Sequence, residues 1–76
     1  MLLRLPEVSS RGGGAVITEW YASLNENIKK GQDLVEVSSD KATFDIASPC
    51  DGVLVGILKE RGDNVLAGVT IAEIRE

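Results

Sequence analysis

GAVITEWYASLNENIKKGQDLVEV, residues 14–37, and DGVLVGILKERGDNVLAGVTIAEI, residues 51–74, are two versions of one pattern. With an offset of 37, Ile17 falls on Leu54, Trp20 on Ile57, Tyr21 on Leu58, Ile28 on Val65, Leu34 on Ile71 and Val37 on Ile74. Val16/Val53, Asn27/Asn64, Gly31/Gly68 and Glu36/Glu73 are identities, where a window of this length offers about one or two by chance. Two copies are too few for a solenoid, which needs a stack of units to cover each exposed face. Two half-sheets facing each other about a pseudo-twofold axis, in a flattened barrel or sandwich, bury both apolar faces in one core. Gly31 and Gly68 then take equivalent turns in which a positive φ is expected.

Working outward, the apolar residues fall in short runs rich in β-branched types and bounded by Gly, Asn, Asp, Ser or Pro, at 2–5, 15–21, 34–37, 43–47, 52–58 and 69–74. Runs of this kind read as strands. Leu24 and Ile28 are four apart, but Asn25, Asn27 and Gly31 break that helical spacing, so 24–31 reads as turns with a short extended piece. The fold class is all-β.

Seventy-six residues leave room for one domain, here taken as 1–76, near the lower limit for a self-supporting core. The apolar share of 43% suffices for a fold, and Trp20, Tyr21 and Phe44 are the only aromatics. The single cysteine, Cys50, has no partner for an internal disulfide, which favours a reducing compartment: bacterial cytoplasm, mitochondrial matrix or plastid rather than secretion. Arg4, Pro6 and Glu7 interrupt the first apolar run before it could serve as a signal peptide, and no later run has the length of a membrane span. A net charge of −4, with the eight Lys and Arg dispersed, supplies no basic stripe for nucleic acid. The absence of histidine removes the commonest general base and metal ligand together. Neither catalysis by the chain alone nor a metal site is expected, since Ser9, Ser10 and Ser38 have no imidazole to activate them.

The connection between the halves, 38–50, brings two strand ends around the polar group Ser38-Ser39-Asp40-Lys41. Ser and Asp suit the early positions of a tight turn because their short side chains bond nearby backbone N–H groups. Lys41 is thereby placed at or beside the apex of a hairpin. A solvated surface lysine such as Lys29, Lys30 or Lys59 is the plain alternative, but none of those sits at the centre of two matched halves.

Val37-Ser38-Ser39-Asp40-Lys41-Ala42-Thr43, followed by Ile46-Ala47-Ser48-Pro49-Cys50-Asp51-Gly52-Val53-Leu54, resembles the lipoyl domain of 2-oxo acid dehydrogenase complexes. Leu5-Pro6-Glu7, Ile17-Thr18-Glu19-Trp20-Tyr21, Ile28-Lys29-Lys30-Gly31 and Gly62-Asp63-Asn64-Val65 with Gly68 extend the resemblance over essentially the whole chain. It implies a flattened β-barrel or sandwich of two four-stranded antiparallel sheets, two short strands more than the residues alone reveal. It also implies lipoate in amide linkage to Lys41, with Asp40 and Ala42 flanking the site for turn formation and enzyme recognition. The implied partners are a thiamine-dependent 2-oxo acid decarboxylase, an acyltransferase core, a dihydrolipoyl dehydrogenase and a lipoyl ligase or transferase. The domain would be a carrier module of a dihydrolipoyl acyltransferase and not itself the catalyst.

Departures from the family pattern sharpen the expectations. Ser38-Ser39 stands where an acidic residue and Thr are common, and a Ser before Asp-Lys-Ala resembles branched-chain complexes. Asn25-Glu26 replaces the usual Gly-Asp, so the first-half turn is expected to be strained or differently shaped from that at Gly62-Asp63. The Gly-rich segment 9–14 replaces an acidic loop and reads as a mobile surface loop, with no helix after it to make a phosphate site. Trp20 is expected in the core or at its edge, and Cys50 as a small apolar filler. A biotin carrier is the nearest rival, but that family flanks its lysine with methionines where Asp40 and Ala42 stand here. The glycine-cleavage carrier has helical additions that this chain lacks, and an unmodified adaptor is the remaining alternative.

Overall fold

The computed structural model describes residues 1–7 and 13–76, and its regular structure is all strand. Eight strands follow in order: β1 (Leu2–Arg4), β2 (Ala15–Trp20), β3 (Asn27–Ile28), β4 (Asp33–Ser38), β5 (Thr43–Ala47), β6 (Gly52–Ile57), β7 (Asn64–Val65) and β8 (Thr70–Arg75). They form two four-stranded antiparallel sheets, β1-β8-β6-β3 and β5-β4-β2-β7. The two ladders remain separate, so the barrel-or-sandwich expectation resolves to a sandwich. Residues 9–12 of the Gly-rich segment lie outside the described residues.

The alternation of burial along the strands explains why these segments extend. In β2, Ala15 and Ile17 are buried while Val16 and Thr18 are half-buried on the other face; in β8, Ile71, Ala72 and Ile74 are buried and Glu73 and Arg75 exposed. Short hairpins do not stand alone in water, so the two sheets are stable only through the core they share. That core joins Ile17, Ile28, Leu34, Val35 and Val37 of the first half to Leu54, Val65, Ile71, Ala72 and Ile74 of the second, with Leu3, Leu5 and Ile46 beside them. Burying each large aliphatic side chain contributes about 1.5–3 kcal/mol.

The two halves match down to individual hydrogen bonds. Tyr21 N–H donates to Leu34 O at 2.8 Å, and Leu58 N–H to Ile71 O at 2.9 Å. Each of these carbonyls accepts a second amide, from Ala22 and Lys59 respectively, which turns the chain out of the ladder and ends β2 and β6 one residue before the expected Tyr21 and Leu58. A bulge interrupts β2 against β4 between Ile17 and Glu19, and another interrupts β6 against β8 between Leu54 and Gly56. Gly31 and Gly68 both have φ +87°, and their amides donate to Ser48 O at 2.9 Å and Leu5 O at 2.8 Å.

The first-half turn is not differently shaped. Asn25 adopts φ +70° opposite Gly62 at +93°, and its amide reaches Leu54 O as that of Gly62 reaches Ile17 O. Asparagine tolerates the left-handed region better than other side chains, which lets it stand in for glycine. β3 and β7 are the two short strands that the family resemblance implied. Each spans two residues, too few for any alternation to register in the sequence.

Candidate functional site

β4 and β5 form the hairpin that carries Lys41, with Val37 facing Phe44 and Ser38 facing Thr43 in the last rungs. Val37 is buried and Phe44 packs against the core, so the stem is anchored by apolar contact. Beyond the last rung, Ser39 N–H donates to Ala42 O at 2.9 Å and closes the turn. The Ser39 hydroxyl donates to the same carbonyl at 3.1 Å and accepts from the amides of Lys41 at 3.2 Å and Ala42 at 3.3 Å. Asp40, Lys41 and Ala42 are all exposed at the tip, in the one turn where the sequence places them.

By the register of the ladders, β8 and β1 correspond to β4 and β5.

A groove runs beside the hairpin base, lined by Val16, Thr18 and Ser38 from the outer sheet face, by Gly13-Gly14, by Ser39-Asp40 and by Asn64. Gly14 is buried, with φ +87°, and a Cβ there would collide with the Val65 carbonyl and the Leu66 backbone. The end of the Gly-rich segment is therefore a packed approach of two backbones, at a position that only glycine can fill.

Below the groove, the outer face of the same sheet is acidic. Asp45, Glu36 and Glu19 face one another across β5, β4 and β2. Thr18 Oγ1 donates to Glu36 Oε1 at 2.7 Å, and the Tyr21 hydroxyl lies 3.0 Å from both Glu36 Oε2 and Asp45 Oδ1. The hydrogen bond to Glu36, then desolvation, then the bond and charge of Asp45 hold the Tyr21 phenol well above its ordinary pKa. Tyr21 aligns with Leu58 in the repeat, and its polar role was therefore not visible in the apolar pattern.

Other candidates fall where packing places them. The Trp20 indole is half-buried against the core and donates to Lys59 O at 2.8 Å. Cys50 is half-buried at the core edge, with its sulfur 3.7 Å from Met1 Sδ. Among the described residues no group of three or more His, Cys, Asp or Glu is placed to hold a metal ion. No helix among them is long and apolar enough to cross a membrane.

Comparison with known proteins places this arrangement in a family. The solution structure of the lipoyl domain of the 2-oxoglutarate dehydrogenase complex from Azotobacter vinelandii superposes with a TM-score of 0.82 at 24% identity, covering 100% of this chain and 96% of that one. The dihydrolipoyllysine-residue succinyltransferase component of the 2-oxoglutarate dehydrogenase complex of Rickettsia typhi is 33% identical over 72 residues, 95% of this chain. The acetyltransferase component of the pyruvate dehydrogenase complex of Corynebacterium glutamicum is also 33% identical over 72 residues. The chain spans 18% and 11% of the lengths of these two relatives. The family described as "Biotin-requiring enzyme", the biotin/lipoyl family, matches residues 2–74, and this chain belongs to it.

Proposed function

We propose that this domain carries lipoate in amide linkage to Lys41 and shuttles acyl groups and electron pairs between the enzymes of a 2-oxo acid dehydrogenase complex. The observation that carries the reading is the position of Lys41: exposed at the tip of a turn closed by its own hydrogen bonds, on a stem fixed in the core. A carrier needs a rigid base and a free, long acceptor, and a lysine amine on a four-carbon stem is such an acceptor.

The residues around Lys41 fit the group. Ala42 adds a single methyl beside the stem, and Asp40 occupies the turn position that favours short polar side chains. Acylation of Nζ releases its proton and removes the lysine charge, leaving the domain one unit more acidic than its −4. Once attached, lipoate supplies a dithiolane, a cyclic disulfide that accepts an acyl group with an electron pair and is regenerated by reoxidation. The protein holds the turn, exposes the stem, and offers the groove and acidic sheet face beside it to the enzymes it visits.

Lipoate is preferred to biotin because the curated relatives above are lipoyllysine proteins and because Asp40 and Ala42 flank the lysine. The decarboxylase, acyltransferase and dihydrolipoyl dehydrogenase components of such a complex are the proposed partners, a lipoyl ligase or transferase the proposed modifying enzyme, and a reducing compartment the proposed setting. The test is intact mass after incubation with lipoate, ATP and a lipoyl ligase. One lipoyl group should be added to the wild type and none to Lys41→Arg. A wild type that stays unmodified, or takes biotin from a biotin ligase instead, refutes the reading.

A further inference from the structure

We propose that Ser39 is the positioning residue for the carrier lysine: its hydroxyl, hydrogen-bonded to the Lys41 and Ala42 backbone, sets the geometry in which the modifying enzyme meets Lys41. The inference rests on Lys41 being the attachment residue. The Ser39 hydroxyl has one proton and two lone pairs. All are used inside the turn, the proton on Ala42 O at 3.1 Å and the lone pairs on the amides of Lys41 at 3.2 Å and Ala42 at 3.3 Å. The backbone N–H of Ser39 adds a further bond to Ala42 O at 2.9 Å. One residue thus satisfies both amides that flank the Lys41 α-carbon, and with them fixes the peptide planes from which the side chain leaves.

The lysine stem is flexible, so its root is the part that structure can direct, and a misdirected reacting group is costly when an enzyme must bring two reactants to near-contact geometry. The oxygen distances of 3.1–3.3 Å are long for hydroxyl bonds, so the effect lies in the set acting together.

The experiment compares wild type, Ser39→Ala, Ser39→Thr and Ser39→Val as substrates of a lipoyl ligase, reading kcat and KM separately, with the melting temperature of each unmodified domain. Threonine keeps the hydroxyl, and valine has the shape of threonine without it. Alanine and valine should lower kcat/KM by about tenfold, the order expected from losing one net hydrogen bond, with the larger part in kcat. Threonine should stay within about twofold of wild type and melt with it, while alanine and valine, each short of about one net hydrogen bond, should melt lower by about 4–8 °C and stay fully folded at the assay temperature. Amide exchange at Lys41 and Ala42 should quicken in alanine and valine alone. Equal rates for threonine and valine, or an equal rate loss in Val53→Ala, a variant destabilised away from the turn, overturns the role of Ser39 while leaving Lys41 as the attachment residue. A wild type that no ligase modifies overturns both.

Discussion

Replacing Gly31 by alanine, and separately Gly68, measures the twofold relation of the halves as an energy. Both glycines have φ +87°, and a Cβ built on either meets nothing within 4 Å, so there is no steric clash to confuse the result. The cost is the left-handed conformation itself, about 1–2 kcal/mol for an L-residue, offset by about 0.4–1 kcal/mol from the smaller entropy of the unfolded alanine chain. A net loss of about 1 kcal/mol is expected at each site, larger for valine, whose branched Cβ tolerates that region least. The double variant should lose about 2 kcal/mol, because the two amides bond different carbonyls, Ser48 O and Leu5 O. The assay is urea unfolding followed by the fluorescence of Trp20, the one tryptophan, half-buried and bonded to Lys59 O. Midpoints should fall with the slope unchanged. Gly56→Ala is the control: its Cβ would lie 3.5 Å from Glu73 Cβ, in ordinary contact, and its φ is not positive, so the midpoint should move little or rise. A loss at one of Gly31 and Gly68 with no loss at the other refutes the equivalence of the two turns.

Two further outcomes test the core and the acidic face. Ile17→Ala and Leu54→Ala, at matched and fully buried positions, should each cost about 2–5 kcal/mol, close to the whole stability of a domain this small, and so should broaden or abolish the thermal transition. Tyr21 is the only tyrosine, so absorbance near 295 nm reports its ionisation alone. Because its folded pKa is raised, the hydrogen bonds to Glu36 and Asp45 stabilise the fold fully below the unfolded pKa near 10, and that stabilisation is lost as pH rises through the folded value. The folded wild type should resist ionisation at pH 10–11. Glu36→Gln should bring the transition down further than Asp45→Asn, and an ordinary transition in the wild type would contradict the geometry.

Much of this was legible in the sequence because the core is built from a repeat. Ile17/Leu54, Leu34/Ile71 and Val37/Ile74 align on apolarity alone, and all are buried against one another. Strand ends were less legible, since Tyr21 and Leu58 are apolar yet leave the ladder where one carbonyl accepts two amides. Asn25 looked like an obstacle to the turn because glycine is the ordinary choice there; its φ of +70° shows the same turn made by another residue. Ser39 reads as a turn former, but the four hydrogen bonds it makes within its own loop depend on how the turn folds. Tyr21 was assigned by hydrophobic pattern, which cannot see a hydroxyl held between two carboxylates facing each other from neighbouring strands.

The central claim is that Lys41 is the attachment residue, and site-resolved mass spectrometry of the ligase-treated domain tests it most directly. The chain has three other lysines, Lys29, Lys30 and Lys59, each outside the β4–β5 turn. Proteolytic mapping should find the lipoyl group on Lys41 and on none of these. A lipoyl group distributed among the four, or retained elsewhere in Lys41→Arg, would contradict the account.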